Sequence, residues 1–230
     1  MVLARRYVEE AIELDPEYAT GYFVLAAITI NEIFLGANKL PRPEALNEAL
    51  RLGEKASVLD RTSNGYSIMS LAYAQMQNPE KALQTAEQAI AIGPNNALAY
   101  DCMGGALMAQ ERFQDAIPIF EKSLRLSPIP HNAVVLLRLG ASQRFVGLHE
   151  ESITTFKRVL QLWPDNMLGC AYLTAAYSAA GRESEARKAA SELLRIDPNF
   201  TSEGLIKRFS IRNKLLLDQM VADLRKAGLK

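Results

Sequence analysis

The chain has 230 residues, is 49% hydrophobic, and balances 26 Lys and Arg against 26 Asp and Glu, so it can bury a continuous core and disorder is not expected. Formal net charge is zero and nothing resembles the basic stripe that nucleic acid or anionic lipid requires, so neither is expected as a partner. No apolar run reaches the roughly 18 residues of a membrane span, and Arg5-Arg6 followed by Glu9-Glu10 is unlike a signal peptide.

Residues 4–14 carry Ala4, Val8 and Ala11 before Asp15-Pro16 and fit only the second helix of a helical hairpin. The chain is therefore expected to begin inside an array, with Met1 an added initiator. Tyr22-x-x-Leu25-Ala26-x-x-Thr29 opens a pair whose closing turn arrives at Leu59-Asp60-Arg61, about 11 residues late against a regular period. The extra material, residues 32–43, predicts a longer first helix and a loop, with Pro43 near the start of the second helix. That second helix places Ala45, Ala49, Gly53 and Ala56 on one face.

From there the chain repeats itself. Prolines follow turn residues at Gly93-Pro94, Ser127-Pro128, Trp163-Pro164 and Asp197-Pro198, at spacings of 34, 36 and 34. The copies open Tyr66-x-x-Met69-Ser70-x-x-Tyr73, Tyr100-x-x-Met103-Gly104-x-x-Leu107, Leu136-x-x-Leu139-Gly140-x-x-Gln143 and Cys170-x-x-Leu173-Thr174-x-x-Tyr177. They continue with Ala82-x-x-x-Ala86, Ala116-x-x-x-Phe120, Ser152-x-x-x-Phe156 and Ala186-x-x-x-Ala190. Small residues let two helices of a pair approach, and the proline stops the second helix. Two residues are added in the turn Ser127-Pro128-Ile129-Pro130-His131-Asn132. After Asn199, Thr201 or Ser202 caps a short helix through Arg208, and Leu215, Leu216, Met220 and Leu224 describe an amphipathic helix over about 213–227. Its expected role is to cap the last apolar face; the alternative is docking into the array's groove in competition with a ligand.

This pattern resembles the tetratricopeptide repeat. The resemblance implies an all-α solenoid, a right-handed superhelix of antiparallel helix pairs with a C-terminal capping helix. Its parts would be the second helix of a truncated repeat at 1–16, a long repeat at 17–62, repeats at 63–96, 97–132, 133–166 and 167–200, and capping helices at 201–230. Cys102 and Cys170 lie two repeats apart, beyond disulfide reach, and read as buried thiols.

In this family the first helices line a concave groove that holds a protein or peptide. Carried over by position, the groove candidates are Asp101, Met108, Arg138, Arg144, Phe145 and Tyr172, beside smaller residues such as Ala141, Ala171, Ala175 and Ser178. Arg138 and Arg144 suit a carboxylate and Phe145 or Tyr172 an apolar anchor, unless the arginines bridge within the array and the aromatics belong to its core. Replacing both arginines by Glu is expected to abolish capture without unfolding. The clamp of paired Lys, Asn and Arg that grips chaperone tails is not expected, since the corresponding stretch offers Cys102, Gly105, Met108 and Ala141. Neither His131 nor His149 has metal-ligand company, and no phosphate loop or nucleophile motif occurs, so no catalysis, metal or cofactor is expected.

The opening from Ala4 to Ala19, the long second repeat, the Ser127-Pro128-Ile129-Pro130 turn and the ending Asp223-Leu224-Arg225-Lys226-Ala227-Gly228-Leu229 resemble the C-terminal tetratricopeptide region of bacterial class III adenylate/guanylate cyclases and of some winged-helix regulators. Phe209-Ser210-Ile211-Arg212 departs from such tails, which often carry a proline and an aromatic residue there. The resemblance implies a non-catalytic regulatory or scaffolding module of a signalling protein, cytoplasmic, or periplasmic behind an upstream membrane span. The alternative is a homodimerising element that brings attached domains together.

Overall fold

Two kinds of turn, each used repeatedly, set the architecture. Within a pair the chain leaves the first helix through a residue of positive φ: Gln77 at 58°, Glu111 at 60°, Gly147 at 84° and Gly181 at 73°. Asn78, Leu148 and Arg182 then donate their N–H groups back to the carbonyls of Tyr73, Gln143 and Tyr177 at 2.9–3.0 Å, satisfying acceptors the helix end would strand. Between pairs, the side chains of Asn96 and Asn166 accept from Leu98 N (3.0 Å) and Gly169 N (2.6 Å), capping the next first helix. The hydroxyls of Tyr22 and Tyr100 each donate to a proline carbonyl six residues upstream, Pro16 and Pro94, at 3.0 Å.

The computed structural model describes residues 2–34, 37–127, 133–206 and 214–230. Met1, the Leu35-Gly36 part of the insertion, the Pro128–Asn132 part of the added turn and Phe209-Ser210-Ile211-Arg212 lie outside them, as do His131, Arg208 and Asn213. Among the described residues there are thirteen α-helices and no strand: α1 (Val2–Leu14), α2 (Ala19–Phe34), α3 (Arg42–Asp60), α4 (Ser63–Gln75), α5 (Pro79–Ile92), α6 (Ala97–Ala109), α7 (Phe113–Leu126), α8 (Ala133–Phe145), α9 (His149–Leu162), α10 (Met167–Ala179), α11 (Glu183–Ile196), α12 (Ser202–Ile206) and α13 (Lys214–Lys226). They fall into two compact units, Met1–Gln110 and Glu111–Lys230.

In the N-terminal unit α1 packs on α2, α2 on α3, and the α4–α5 pair follows. Leu25, Ala26, Leu52 and Ile68 form the core, with Val8, Ile12, Tyr22 and Leu71 packed against them. The regular first helices have 13 residues and the second helices 14, whereas α2 has 16 and α3 has 19. The added length therefore enters the second helix as well as the first. Pro43 sits in the first turn of α3, where its missing N–H costs no helical bond. The extra turns bury Ile33, Ala45 and Leu46 in a small core of their own, closed by Met76.

The helices of a pair touch where the repeat places small residues. Ser70 Oγ on α4 donates to Ala82 O on α5 (2.7 Å); in the α8–α9 pair the donor has changed sides, and Ser152 Oγ donates to Gly140 O (2.9 Å). A β-carbon on Gly140 would sit 2.8 Å from the ring of Phe156. At the α3–α4 crossing the obstruction is backbone: a β-carbon on Gly65 would lie 2.7 Å from Ser57 N and 2.8 Å from Gly53 O. Gly65→Ala is expected to cost about 1–3 kcal/mol by overpacking, whereas Gly181→Ala, facing open space at φ 73°, should cost only about 1 kcal/mol through its backbone. Urea midpoints of the two variants check the order.

Candidate functional site

The C-terminal unit places an arginine where arginines are seldom found. Arg144, in the last turn of α8, is 4% exposed, and taking a guanidinium out of water demands a counter-charge. The counter-charge comes from 79 residues away: Arg144 Nη2 donates to Asp223 Oδ2 at 2.5 Å, and Asp223 is itself 3% exposed. Lys226, one turn further along α13, sits 3.4 Å from the other carboxylate oxygen. Burial pulls Arg144 below the usual arginine range, with Asp223 opposing the shift. Burial also pushes the Tyr172 hydroxyl well above its ordinary value, so the tyrosine stays neutral and Asp223 carries the balancing charge.

Asp223 reaches Arg144 because α13 is amphipathic. Met220, Val221, Leu224 and Ala227 are buried around it, while Gln219, Ala222, Arg225 and Lys226 face water. The packed neighbours of α13 among the described residues are α10 and α12. It thus lies against the first helix α10 and reaches the first helix α8 through the Arg144–Asp223 pair. In α10, packed between α9, α11 and α13, residues 169–178 are all buried, including Ala171, Tyr172, Ala175 and Ser178. In α6, by contrast, Asp101, Met103, Gly105 and Met108 remain half-exposed.

The tail is fastened as well. Ser202 N donates to the carbonyl of Lys230 (2.7 Å), Arg225 pairs with Glu203, and Leu205 and Leu229 are buried. Helix α13 ends as the first helices do, with Gly228 at φ 96° and Leu229 N–H bonding back to Leu224 O at 3.2 Å. By its end it resembles a first helix.

The candidate residues separate accordingly. Asp101 and Met108 lie on α6 in the N-terminal unit, half-buried. Arg138 is half-buried on α8. Phe145 is half-buried, its ring 4.7 Å from that of Phe113, with Arg144 Cζ 5.6 Å from its centroid. Tyr172 is core: it stacks on Phe156 at 5.1 Å and 5°, and Phe156 in turn fills the notch at Gly140. Arg144 and Tyr172 are therefore covered while α13 is seated. The paired exchange of Arg138 and Arg144 for Glu is correspondingly not a surface change, because a carboxylate at 144 would meet Asp223 in a buried site. Sequence reading missed Asp223. Its signal is an acid set between Met220, Leu224 and Ala227 on an apolar stripe, a position that calls for a buried cation.

Cys102 and Cys170 are free and buried; Cys102 Sγ donates to Ser67 O (3.3 Å), and burial pushes Cys170 up to about 11. Among the described residues no group of His, Cys, Asp and Glu gathers as a metal site, and no described helix is long and apolar enough to cross a membrane.

Residues 64–96 match the family model of the tetratricopeptide repeat. That stretch, α4 and α5, is a tetratricopeptide repeat. The chain is similar to a DnaJ homolog subfamily C member 7 homolog of Dictyostelium discoideum, 25% identical over 134 residues, and to the small glutamine-rich tetratricopeptide repeat-containing protein 2 of Mycosarcoma maydis, 29% identical over 100 residues. These matches cover 55% and 44% of this chain and only 24% and 26% of the relatives, about a quarter of their length. Among solved structures, a chain of the APC/C hetero-tetramer Cut9-Hcn1 aligns over 97% of this chain and 39% of its own, with a TM-score of 0.73 at 17% identity. YrrB, described as a tetratricopeptide protein with an unusual peptide-binding site, aligns over 88% of this chain and 98% of its own, with a TM-score of 0.61 at 19% identity. The all-α architecture is thus shared with these solved structures.

Arg144→Ala is expected to destabilise the chain by about 3–5 kcal/mol, because Asp223 then remains buried against a neutral site. Arg144→Met combined with Asp223→Leu should fall within about 1 kcal/mol of the parent or above it, since the desolvation cost disappears with the charge. Urea unfolding of the single and double variants measures both.

Proposed function

We propose that this chain is a non-catalytic polypeptide-binding module whose first-helix faces each hold a segment of extended or helical chain. The observation that carries this reading is the seat of α13: the fold packs an amphipathic helix against the first helix α10, in which Ala171, Ala175 and Ser178 are buried. The tetratricopeptide match and the co-chaperone-type names of the relatives agree with protein binding as the business of the fold. For the N-terminal unit the matching surface is the half-exposed side of α6 that carries Asp101 and Met108. The setting follows from the resemblance to cyclase C-terminal regions: a regulatory or scaffolding part of a bacterial signalling protein in the cytoplasm, with its catalytic or DNA-binding domain elsewhere in the parent protein.

A second reading is self-association. It rests on α1, where Leu3, Tyr7 and Leu14 are 56%, 55% and 88% exposed. Light scattering separates it: a mass of 25.4 kDa at every concentration contradicts self-association, and twice that mass supports it.

The binding reading is tested by site-specific photocrosslinking in cell extract. A photoreactive amino acid in place of Met108 or Arg138, on first helices, should give several-fold more polypeptide adducts than one in place of Glu121 or Arg158, exposed on second helices. Equal yields from all four positions contradict the proposal.

A further inference from the structure

The seat of α13 is built for a carboxylate, yet α13 fills it incompletely. Arg144 Nε is buried with no hydrogen-bond partner, although its Nη2 is engaged by Asp223. An orphaned charged donor is a penalty that a better-placed acid would remove, since arginine and carboxylate pair best through two parallel bonds. Asp223 reaches one nitrogen only, and its second oxygen is turned toward Lys226. Ser178 Oγ, on α10, against which α13 packs, is also buried without a partner. The apolar half of the seat is well matched by Met220 and Leu224, 1% and 0% exposed. The polar half is left wanting.

We infer that the α8–α10 face is a recognition site for an amphipathic helix that presents a carboxylate to Arg144, and that α13 is its displaceable occupant within the chain. The inference rests on the reading of the first-helix layer as a binding face and names the partner and regulation of one part of it. The partner is a helix of the α13 type, with apolar residues three before and one after an acidic residue, as Met220 and Leu224 flank Asp223. Being tethered, α13 competes at high effective concentration, so a weak foreign helix is excluded. A helix whose carboxylate reaches both Nε and Nη2 gains a contact that α13 lacks. Displacement frees Asp223, Arg225 and the tail that Ser202 and Glu203 now hold. The site is therefore silent until a partner with the right acid arrives.

The probe is a fluorescent peptide of residues 214–230, added to the full chain and followed by anisotropy, with far-UV circular dichroism recording the fold. The parent chain should bind it negligibly. Asp223→Asn in the chain weakens the resident helix and should raise capture at least about tenfold, the size of one charged hydrogen bond, while an Asp→Asn peptide should gain nothing. The chain carrying Arg144→Asp sets two acids face to face; it should reject the native peptide and accept one with Asp→Arg. A role of Arg144 in folding alone does not move that specificity. Equal binding of native and exchanged peptides, or none to either folded variant, overturns the proposal. Unfolding of both variants overturns it too, because a displaceable helix leaves a folded array behind. Loss of peptide capture with first-helix crosslinking intact would refute the inference and leave the binding module standing.

Discussion

A guanidinium at 4% exposure is tolerable only with a carboxylate beside it, and the C-terminal unit is arranged around that requirement. Arg144 closes α8, and Asp223 must come to it from the last helix of the chain. Meeting the demand fixes the register of α13: with Asp223 on Arg144, Met220 and Leu224 fall on the apolar side and Arg225 and Lys226 on the wet side. The same register brings the end of α13 over α12, where Lys230 and Arg225 engage Ser202 and Glu203. A buried ion pair adds little net stability, because desolvation offsets most of the attraction. What it does supply is discrimination, since any helix seated there without an acid leaves a bare charge behind.

The layer beneath is held by a different principle. Phe156 occupies the space that Gly140 leaves, Tyr172 stacks on Phe156, and the neutral Tyr172 borders the cation. Shape, more than charge, therefore sets where α8, α9 and α10 stand. Ser152 and Ser70 show the repeat solving one problem from either side, donating across the pair wherever two small residues let the backbones approach.

Much of this was legible. The proline spacing and the small-residue positions announce paired helices at a period near 34, because each depends on local backbone chemistry. Pro43 and the late turn at Leu59-Asp60-Arg61 marked both ends of α3; what did not show is the contact its added length makes, since nothing local tells Leu46 to meet Ile33 and Met76. The left-handed turn that closes the regular first helices did not show, since Gln77 and Glu111 take it as well as Gly147 and Gly181. The site was harder. Position in the repeat put Arg144 and Tyr172 on the inner surface, and both do belong to the first-helix layer. Their burial depends on a helix at the far end of the chain, and only the acid on its apolar stripe hinted at that contact. Long-range pairing of one Arg with one Asp has no signature in spacing.

The most direct test of this account is exchange of the two charges, read by amide hydrogen exchange across α13. Asp223→Arg alone should leave the amides of Met220–Leu224 exchanging as in a free helix, and so should Arg144→Asp alone. Together the two substitutions should restore most of the protection seen in the parent chain. If α13 is equally protected in all four proteins, the ion pair does not seat it and the account fails.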